Sequence, residues 1–541
     1  MPIRQGCYSY DRYCEYIKPY LDVFGMPYEE VDEDCLCDRL DDGAALILLA
    51  QVDLRLSENA SKKIARAVES GCGLFATSSS ILKNAEFEKF VEFTEFPIKT
   101  EGKELVVDSG HYITRFHKQN ERIVLYNELL FFQSTRLKDS QVLVSLEGTP
   151  LLEAAKLGKG KIVLMNTLDW ISTDILGPVR GMDDIIREAI VWAAKKPFVM
   201  KGMPPFVAMR VDDVWGSWKD DETENPLHWV EISNKYKLKP WLGVFTEDTN
   251  EKTAEIIKNY VMNGEATAFP HAFRGCECTG PEPEDWLWFD HRHQRPWNED
   301  VMKQRAAKAK EWFDSHNISI SKVALPHYYE ISECALPILL DWECDFIGIT
   351  TPTDVFYHSC EKLKCGPYRK INARAASDSR PVYYADYLSC PNTPEADRKL
   401  FNCVVEIRDV SGYELAPSND VEKTVREGIE QLRRAILSGL PATVFTHETD
   451  YIRHITSENW EAEMKGITEG IEDLLPVYDT LDNIYRYVRA SFNIKIENPR
   501  IGEDGKLEFS VKGFNDMDTK CYVFTEDGEK IKVEERTIPK Q

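Results

Sequence analysis

Titratable side chains follow four apolar segments in the middle of the chain. The segments are Phe206–Val211, Ala266–Phe269, Val323–Leu325 and Ala442–Phe445, and the residues that follow them are Asp212 with Asp213, His271, His327 and His447. Carboxylates and imidazoles are ligands of divalent ions and are also common general acids and bases. Each residue taken alone fits a cap or a solvent-facing position. The repetition of the same arrangement four times favours one shared site.

These residue types are sufficient for metal-assisted hydrolysis. One carboxylate and two imidazoles leave positions open on a divalent ion, which polarises a carbonyl and lowers the pKa of water. A second carboxylate can take the proton of the water, and a histidine from another strand can protonate a departing amine. Successive side chains diverge in a regular strand, so Asp212 and Asp213 are predicted to have different tasks, one binding metal and the other facing the water.

The elements that must position these residues alternate along the central region. Further apolar segments are Trp241–Phe245, Phe346–Ile349, Val382–Tyr384 and Val404–Ile407. Helix-like stretches, such as Thr253–Val261, Val301–Phe313 and Val421–Leu437, precede most of the segments, and Gly439 follows the last helix where a C-terminal glycine is favoured. Seven or eight such units predict a parallel β/α barrel, in which active groups collect at the carboxyl ends of the strands.

The two ends of the chain have other patterns. Strand-like segments before residue 200 are Ala45–Leu49, Gly73–Ala76, Val142–Ser145 and Lys161–Met165, and the helix-like ones are Ser57–Ser70 and Met182–Ala194. This alternation predicts a parallel sheet covered on both faces. After residue 490, period-two segments with Asp-Gly turns at Gly505 and Gly528 predict a small antiparallel β domain. The predicted domains of this α/β protein are therefore 1–200, 201–490 and 491–541.

Composition narrows the choice of partners. The chain has 541 residues, and 66 basic against 91 acidic residues give a net charge of −25. Such a surface repels phosphate backbones and anionic lipid, so no nucleic-acid or membrane partner is expected. The longest apolar run, Ala44–Ala50, is too short to span a membrane, and the first residues lack a secretory pattern. A cytoplasmic protein with reduced cysteines is predicted, and homo-oligomerisation is left open.

Val211-Asp212-Asp213 resembles the first motif of NodB-type polysaccharide deacetylases, which form carbohydrate esterase family 4 and its relatives. The resemblance is distant and covers roughly residues 204–490. It implies a distorted (β/α)7 barrel and metal-dependent removal of acetyl groups from an amino sugar or glycan. Asp212 would then be the general base and Asp213 a metal ligand. His447 matches the late histidine of the family and would be the general acid.

The metal site implied by the resemblance is incomplete in sequence. His271 would be the first histidine ligand, but Gly275 stands where the family places the second. We therefore expect His291 or His293 to supply it, with His293 preferred. His327 replaces the usual Arg-Pro strand end and is expected to line the substrate pocket. Zinc is the expected ion, with cobalt, nickel and manganese as alternatives.

Aromatic residues around these motifs suit a carbohydrate, because flat apolar faces with polar edges stack on pyranose rings. Trp215 and Trp297 are predicted to contact the substrate, together with Arg408 beyond a late apolar segment. Packing inside their own segments is an equally good interpretation of the tryptophans.

The first 200 residues resemble the glutamine-amidotransferase-like, flavodoxin-type three-layer domains found beside carbohydrate enzymes. Active members place a cysteine at a sharp turn after a strand and a histidine downstream. Here Cys72 precedes its strand, and His111 and His117 lie in an irregular stretch. The domain is therefore predicted to be non-catalytic.

The same residues fit two other functions. A glycoside hydrolase on a related barrel would pair Asp212 with Glu406 or Asp409, at about 5 Å or about 6.5–9.5 Å according to mechanism. A non-catalytic glycan-binding protein would explain the absence of a histidine at Gly275.

Overall fold

A computed structural model of the chain describes residues 1–6, 9–10, 13–23, 25–40, 44–167, 182–218, 224–275, 286–291, 293, 295–348, 371–372, 381–382, 385–389, 399–403, 415–502 and 505–541. These residues form a mixed α/β structure with several sheets. Their contacts divide the chain into two compact units, one of residues 1–202 with 493–541 and the other of residues 203–492. Across the described ranges, no helix combines the length and apolar character needed to cross a bilayer.

The main sheet of the first unit is mixed. Its strands, in spatial order, are Leu46–Leu49, Gly73–Ala76, Gly160–Met165, Thr149–Leu157, Gln141–Leu146, Val91–Val107 and Arg122–Leu137. The first three pair in parallel as predicted, and every later pairing is antiparallel. The expectation of a parallel sheet is therefore wrong for this half. The end of Val91–Val107 alternates buried apolar with exposed charged residues, a pattern typical of antiparallel strands with one solvated face, whereas exposed positions of Arg122–Leu137 include Val124, Leu130 and Phe132.

Helices cover the parallel strands of this sheet. Glu58–Glu69 begins at Ser57, whose hydroxyl accepts the Ala60 N–H at 3.1 Å, and Asp183–Ala193 follows later in the chain. Both confirm the predicted helices. Shorter helices are Lys18–Val23 and Leu36–Arg39. The flavodoxin-like layout stays a prediction.

The last residues form antiparallel strands, as predicted. Ile494–Ile501 pairs with Leu507–Gly513, and Thr519–Asp527 pairs with Lys530–Ile538. Gly505 and Gly528 have positive φ angles of 77° and 62°, which suit glycine in tight turns. Thr519–Asp527 also pairs with Phe198–Gly202, so by contacts these strands belong with residues 1–202. The sequence predicts a separate domain for residues 491–541. The division of the chain into three domains with different functions stays a prediction.

A partly buried histidine in the first unit, His117, gives a test of stability against pH. Nε2 of His117 lies 2.8 Å from Asp184 Oδ2, and Nδ1 lies 3.1 Å from Glu121 Oε1. Burial alone would lower the pKa of His117, but its bonds to Asp184 and Glu121 raise this pKa to about 10 from 6.5. The cationic form is therefore stabilised by folding.

The pKa of His117 is higher in the folded than in the unfolded protein. Its contribution to the unfolding free energy is therefore complete below pH 6.5 and is lost as pH rises towards about 10. We expect His117→Gln to cost about 2 kcal/mol of unfolding free energy at low pH and little at high pH. Urea unfolding across this pH window measures the difference. His228→Gln, which removes a surface pair with Glu231, is the control. An equal slope with pH in wild type and His117→Gln would contradict the prediction.

The second unit is built on parallel strands in two sheets. The first sheet has, in spatial order, Thr267–Ala272, Pro240–Phe245, Phe206–Val214 and Ala442–His447, with Val477–Tyr478 beside Phe206–Val214. The second has Val323–Ala324, Phe346–Ile347 and Lys399–Cys403 in parallel, with Ala385–Ser389 antiparallel at its edge. A parallel bridge pairs Ala268 of the first sheet with Ile320, which precedes the strand Val323–Ala324.

Most of the predicted central strands are confirmed. Pro381–Val382 is an exception, because it pairs antiparallel with Ile371–Asn372 instead of joining the parallel strands. The predicted segment Val404–Ile407 lies outside the described residues. Closure of the parallel strands into a barrel stays a prediction.

Helices connect these strands. They are His228–Lys235, Glu251–Met262, Glu299–Ser315, Leu336–Asp341, Val421–Leu437, Ser457–Glu469 and Leu481–Asn493. Asn250, Asn298 and Asp420 cap three of them by accepting a backbone N–H, as short polar residues at helix starts do. Gly439 has a φ of 75° beyond its helix, as predicted. Because parallel strands point the same way, residues at their carboxyl ends meet at one edge of the sheet.

Candidate functional site

The strand that bears the aspartate pair is irregular where the pair stands. Phe206–Val214 matches Val211 to Leu242 and then Val214 to Val244, so it has one extra residue against its neighbour. Asp213 has a φ of 60°, a left-handed conformation that is unusual for a non-glycine residue and is often found at functional sites. This bulge brings two consecutive carboxylates to one imidazole: His271 Nε2 lies 3.5 Å from both Asp212 Oδ2 and Asp213 Oδ1.

Asp213 and His271, both buried, and the partly buried His327 form a group whose ligand atoms all lie within 4.8 Å of one another. His327 Nε2 is 3.6 Å from Asp213 Oδ1, close to the 3.5 Å that separates this oxygen from His271 Nε2. Ligands about 2.1 Å from a tetrahedral ion stand about 3.4 Å apart. The three residues therefore fit one divalent ion, and we name them the triad.

The protonation of His271 supports this interpretation. Its Nδ1 lies 2.7 Å from the Leu325 carbonyl oxygen, which only accepts hydrogen bonds, so Nδ1 carries the proton. Burial, against a smaller attraction by Asp212, lowers the pKa of His271 to about 4, so the ring is neutral at pH 7. The Nε2 lone pair then faces carboxylate oxygens, which is unfavourable unless a cation lies between them.

His327 lies closer to Asp213 and His271 than the sequence predicts. It was expected to line the substrate pocket, whereas its ring nitrogen belongs to the triad. His291 instead has Nδ1 at 2.7 Å from Glu330 Oε2, and His293 has Nδ1 at 2.9 Å from Asp290 Oδ1 with 51% of its side chain exposed. Among the residues that the structure describes, neither joins Asp213 in a group of potential ligands.

Close packing explains the glycine at position 275. A Cβ atom there would lie 2.9 Å from Phe245 Cε2, which is closer than real contacts allow. The Phe245 ring packs against the rings of His271 and His327, with centroids 6.1 Å and 5.4 Å away. No side chain, and hence no histidine ligand, can stand at Gly275 while Phe245 keeps this position.

Arg210 fixes Asp212 from the same strand. Its Nε and Nη2 donate to Asp212 Oδ1 and Oδ2 at 2.8 and 2.6 Å, and both side chains are almost fully buried. Burial alone would raise the pKa of Asp212, but the Arg210 guanidinium, helped by His271, holds this pKa well below its usual range. Asp212 is therefore ionised at neutral pH and has one preferred orientation.

His447 ends the strand beside Asp212. The two residues are partners in the parallel pairing, and the Glu448 N–H donates to the Asp212 carbonyl at 3.0 Å. The His447 ring lies against Phe445 and Tyr451, with centroids 5.2 Å and 6.4 Å away. The structure thus brings together Asp212, Asp213, His271 and His447 as predicted, all at the same edge of the sheet.

Glu448 is a residue that sequence reasoning missed. Its Oε2 accepts the backbone N–H groups of Trp215, Gly216 and Ser217 at 2.8, 2.9 and 3.3 Å, and its Oε1 accepts from Trp229 Nε1 at 3.1 Å. Burial raises the pKa of Glu448 although these bonds oppose the shift. Glu448 thus fixes the turn that follows the aspartate pair. Its position directly after an apolar strand is the feature of the sequence that could have identified it.

The remaining predicted substrate residues are less well defined. Trp215 is half-buried, and its backbone N–H is bound by Glu448. Trp297 is half-buried under the Arg305 guanidinium, which lies 4.2 Å from its ring. Arg408 lies outside the described residues, as do Glu406 and Asp409, the proposed partners of Asp212 in a glycoside hydrolase.

The Cys72 thiol in the first unit does not have the lowered pKa of a reactive cysteine. The thiol is buried beside the strand Gly73–Ala76, and burial raises its pKa to about 11. A reactive cysteine needs a lowered pKa, because the thiolate is the nucleophile. The absence of catalysis in residues 1–200 stays a prediction.

Comparison with known proteins gives no family. No family model matches the chain, and no curated protein matches it. Among solved structures, a candidate polysaccharide deacetylase from Mycobacterium smegmatis is similar at 10% identity over 53% of this chain and 91% of that one, with a TM-score of 0.33. The cytoplasmic protein STM3548 from Salmonella typhimurium is similar at 14% identity over 34% of this chain and 88% of that one, with a TM-score of 0.26. Likenesses this weak carry no argument about fold or function.

Proposed function

We propose that the chain is a metal-dependent hydrolase that removes acetyl groups from an amino sugar or glycan. The observation that carries the proposal is the triad, in which the Nε2 lone pair of His271 and an oxygen of Asp213 converge at 3.5 Å in a buried place. Zinc is the expected ion because imidazole with carboxylate suits it. We also propose that the parallel strands of the second unit close as a β/α barrel around this site.

The proposed reaction is hydrolysis of an acetamide. A divalent ion bound by the triad would polarise the carbonyl and lower the pKa of water. Asp212, which Arg210 keeps ionised, takes the proton of the attacking water at Oδ2. His447 gives a proton to the departing nitrogen, so the C–N bond breaks, a C–O bond forms, and acetate and an amine leave. The aromatic side chains beside the site would bind the sugar.

Metal analysis and acetate release test this proposal together. Purified protein should contain about one zinc per chain, and chelation followed by Zn²⁺ or Co²⁺ addition should remove and restore acetate release from N-acetylglucosamine oligomers. Asp213→Ala should abolish both metal content and acetate release, whereas Asp314→Ala, on the surface beside Lys310, should change neither. Acetate release that persists in metal-free protein would contradict the proposal. Cleavage of an aryl glycoside in the presence of chelator would favour a glycoside hydrolase instead.

A further inference from the structure

The two imidazoles of the triad are held in different ways. Nδ1 of His271 donates to the Leu325 carbonyl at 2.7 Å. Nδ1 of His327 is buried, and within the described part of the chain it has no hydrogen-bond partner. A metal-binding histidine ordinarily bonds through its second nitrogen, which fixes the ring. The orientation of His327 must therefore come from packing.

The packing around His327 depends on Tyr328. The two rings stack with centroids 4.2 Å apart and planes at 23°, and Trp286 lies 5.1 Å from the His327 ring at 22°. Tyr328 has φ 53° and ψ 18°, a left-handed conformation that a bulky residue adopts at a cost of about 1–3 kcal/mol. Surrounding contacts must therefore stabilise this turn. Without them the Tyr328 ring would not stay stacked on His327.

His291 and Glu330 supply these contacts. His291 Nδ1 lies 2.7 Å from Glu330 Oε2, and both side chains are buried. The His291 ring also stacks on Tyr328, with centroids 4.7 Å apart and planes at 18°, and lies 4.6 Å from Trp286. Glu330 ends the same turn, because its N–H donates to the His327 carbonyl at 3.2 Å. The pair thus ties the turn at residues 327–330 to the segment at residues 286–291.

We propose that His291 and Glu330 are a positioning pair that aims His327 Nε2 at Asp213. The proposal rests on the proposed function, since the orientation of His327 matters only if His327 binds the metal ion. In this arrangement His291 does not bind the metal ion and does not give a proton to the substrate. It acts through Tyr328, by stacking on its ring, and through Glu330, by fixing the end of the turn.

Cobalt binding tests the pair independently of catalysis. Metal-free protein is titrated with Co²⁺, whose visible absorption reports both affinity and coordination geometry. His291→Ala should weaken Co²⁺ binding by about 10–100-fold and alter the spectrum, because losing an outer-shell partner has an effect of this size. His291→Gln, whose amide N–H can donate to Glu330 but which has no ring to stack on Tyr328, should recover part of the affinity. His293→Ala, two residues away and half exposed, should match wild type.

The outcomes separate this inference from the proposed function. If wild type binds Co²⁺ and His291→Ala binds it equally well with the same spectrum, only the positioning pair is refuted. If His291→Gln is as weak as His291→Ala, the hydrogen bond to Glu330 is not responsible and the inference also fails. If wild type binds no Co²⁺, both proposals fail. Should His291→Ala not fold, Glu330→Gln, which keeps an acceptor oxygen for His291, should show a smaller loss of affinity and replaces it in the test.

Discussion

His327→Gln is expected to lower the affinity for Zn²⁺ or Co²⁺ by more than about 100-fold, because the loss of a direct ligand exceeds that of an outer-shell partner. Its Nε2 lies 3.6 Å from Asp213 Oδ1 and belongs to the triad. Glutamine has a similar length and can keep the turn, but its amide is a weak ligand for zinc. Acetate release should fall by at least about 1,000-fold as the metal is lost.

His293→Gln is the matched control, because the sequence alone favours His293 as the second histidine ligand. Its ring is half exposed and its Nδ1 is directed to Asp290. Metal content, measured after dialysis against a weak chelator, should equal wild type. Loss of metal in His293→Gln with retention in His327→Gln would overturn the ligand assignment and restore the interpretation drawn from sequence.

The sequence predicted the elements of the site well and its contacts less well. Apolar segments before Asp212, His271 and His447 correctly indicated strands, since a buried parallel strand is a short run of apolar residues. The pairing of Asp212 with His447 then follows from strand order. The bulge at Asp213 could not be predicted, because it depends on the register with the neighbouring strand Pro240–Phe245.

His327 was not predicted as a potential metal ligand for a similar reason. A histidine four residues after His271 was the expected signal, and its absence directed attention to the nearest histidines along the chain. The contact that excludes a side chain at position 275 is between Gly275 and Phe245, which lie 30 positions apart in sequence. His327 reaches the site from the following strand. Proximity in space, which sequence spacing does not encode, brings His327 close to Asp213 and His271.

Among the antiparallel strands of the first unit, Val91–Val107 was missed because it has no long apolar run. Val91–Val107 alternates between buried residues such as Leu105 and Val107 and exposed charged residues such as Glu101 and Lys103. Such a strand is visible only by its period of two. The parallel strands Leu46–Leu49 and Gly73–Ala76, buried on both faces, gave the clearer signal.

Asp212→Asn is expected to reduce acetate release by about 100- to 10,000-fold while leaving the metal bound, because a general base contributes an effect of this size. The triad atoms belong to other residues, so metal content should stay near one ion per chain. Asparagine keeps one oxygen for Arg210, but its N–H₂ group faces the second guanidinium donor. Breaking this buried ion pair should also lower the unfolding free energy by about 3 kcal/mol.

Arg210→Met separates the role of Asp212 as a base from its role in stability. Without the guanidinium, burial dominates and the pKa of Asp212 rises towards or above its ordinary value. Activity should then fall at acid pH, where Asp212 is protonated and cannot accept a proton, and should recover as pH increases. In wild type the activity should not fall at acid pH through protonation of Asp212, because Arg210 keeps the carboxylate ionised. A pH profile of acetate release that is the same in Arg210→Met and wild type would show that Asp212 is not the base, even if both proteins retain their metal.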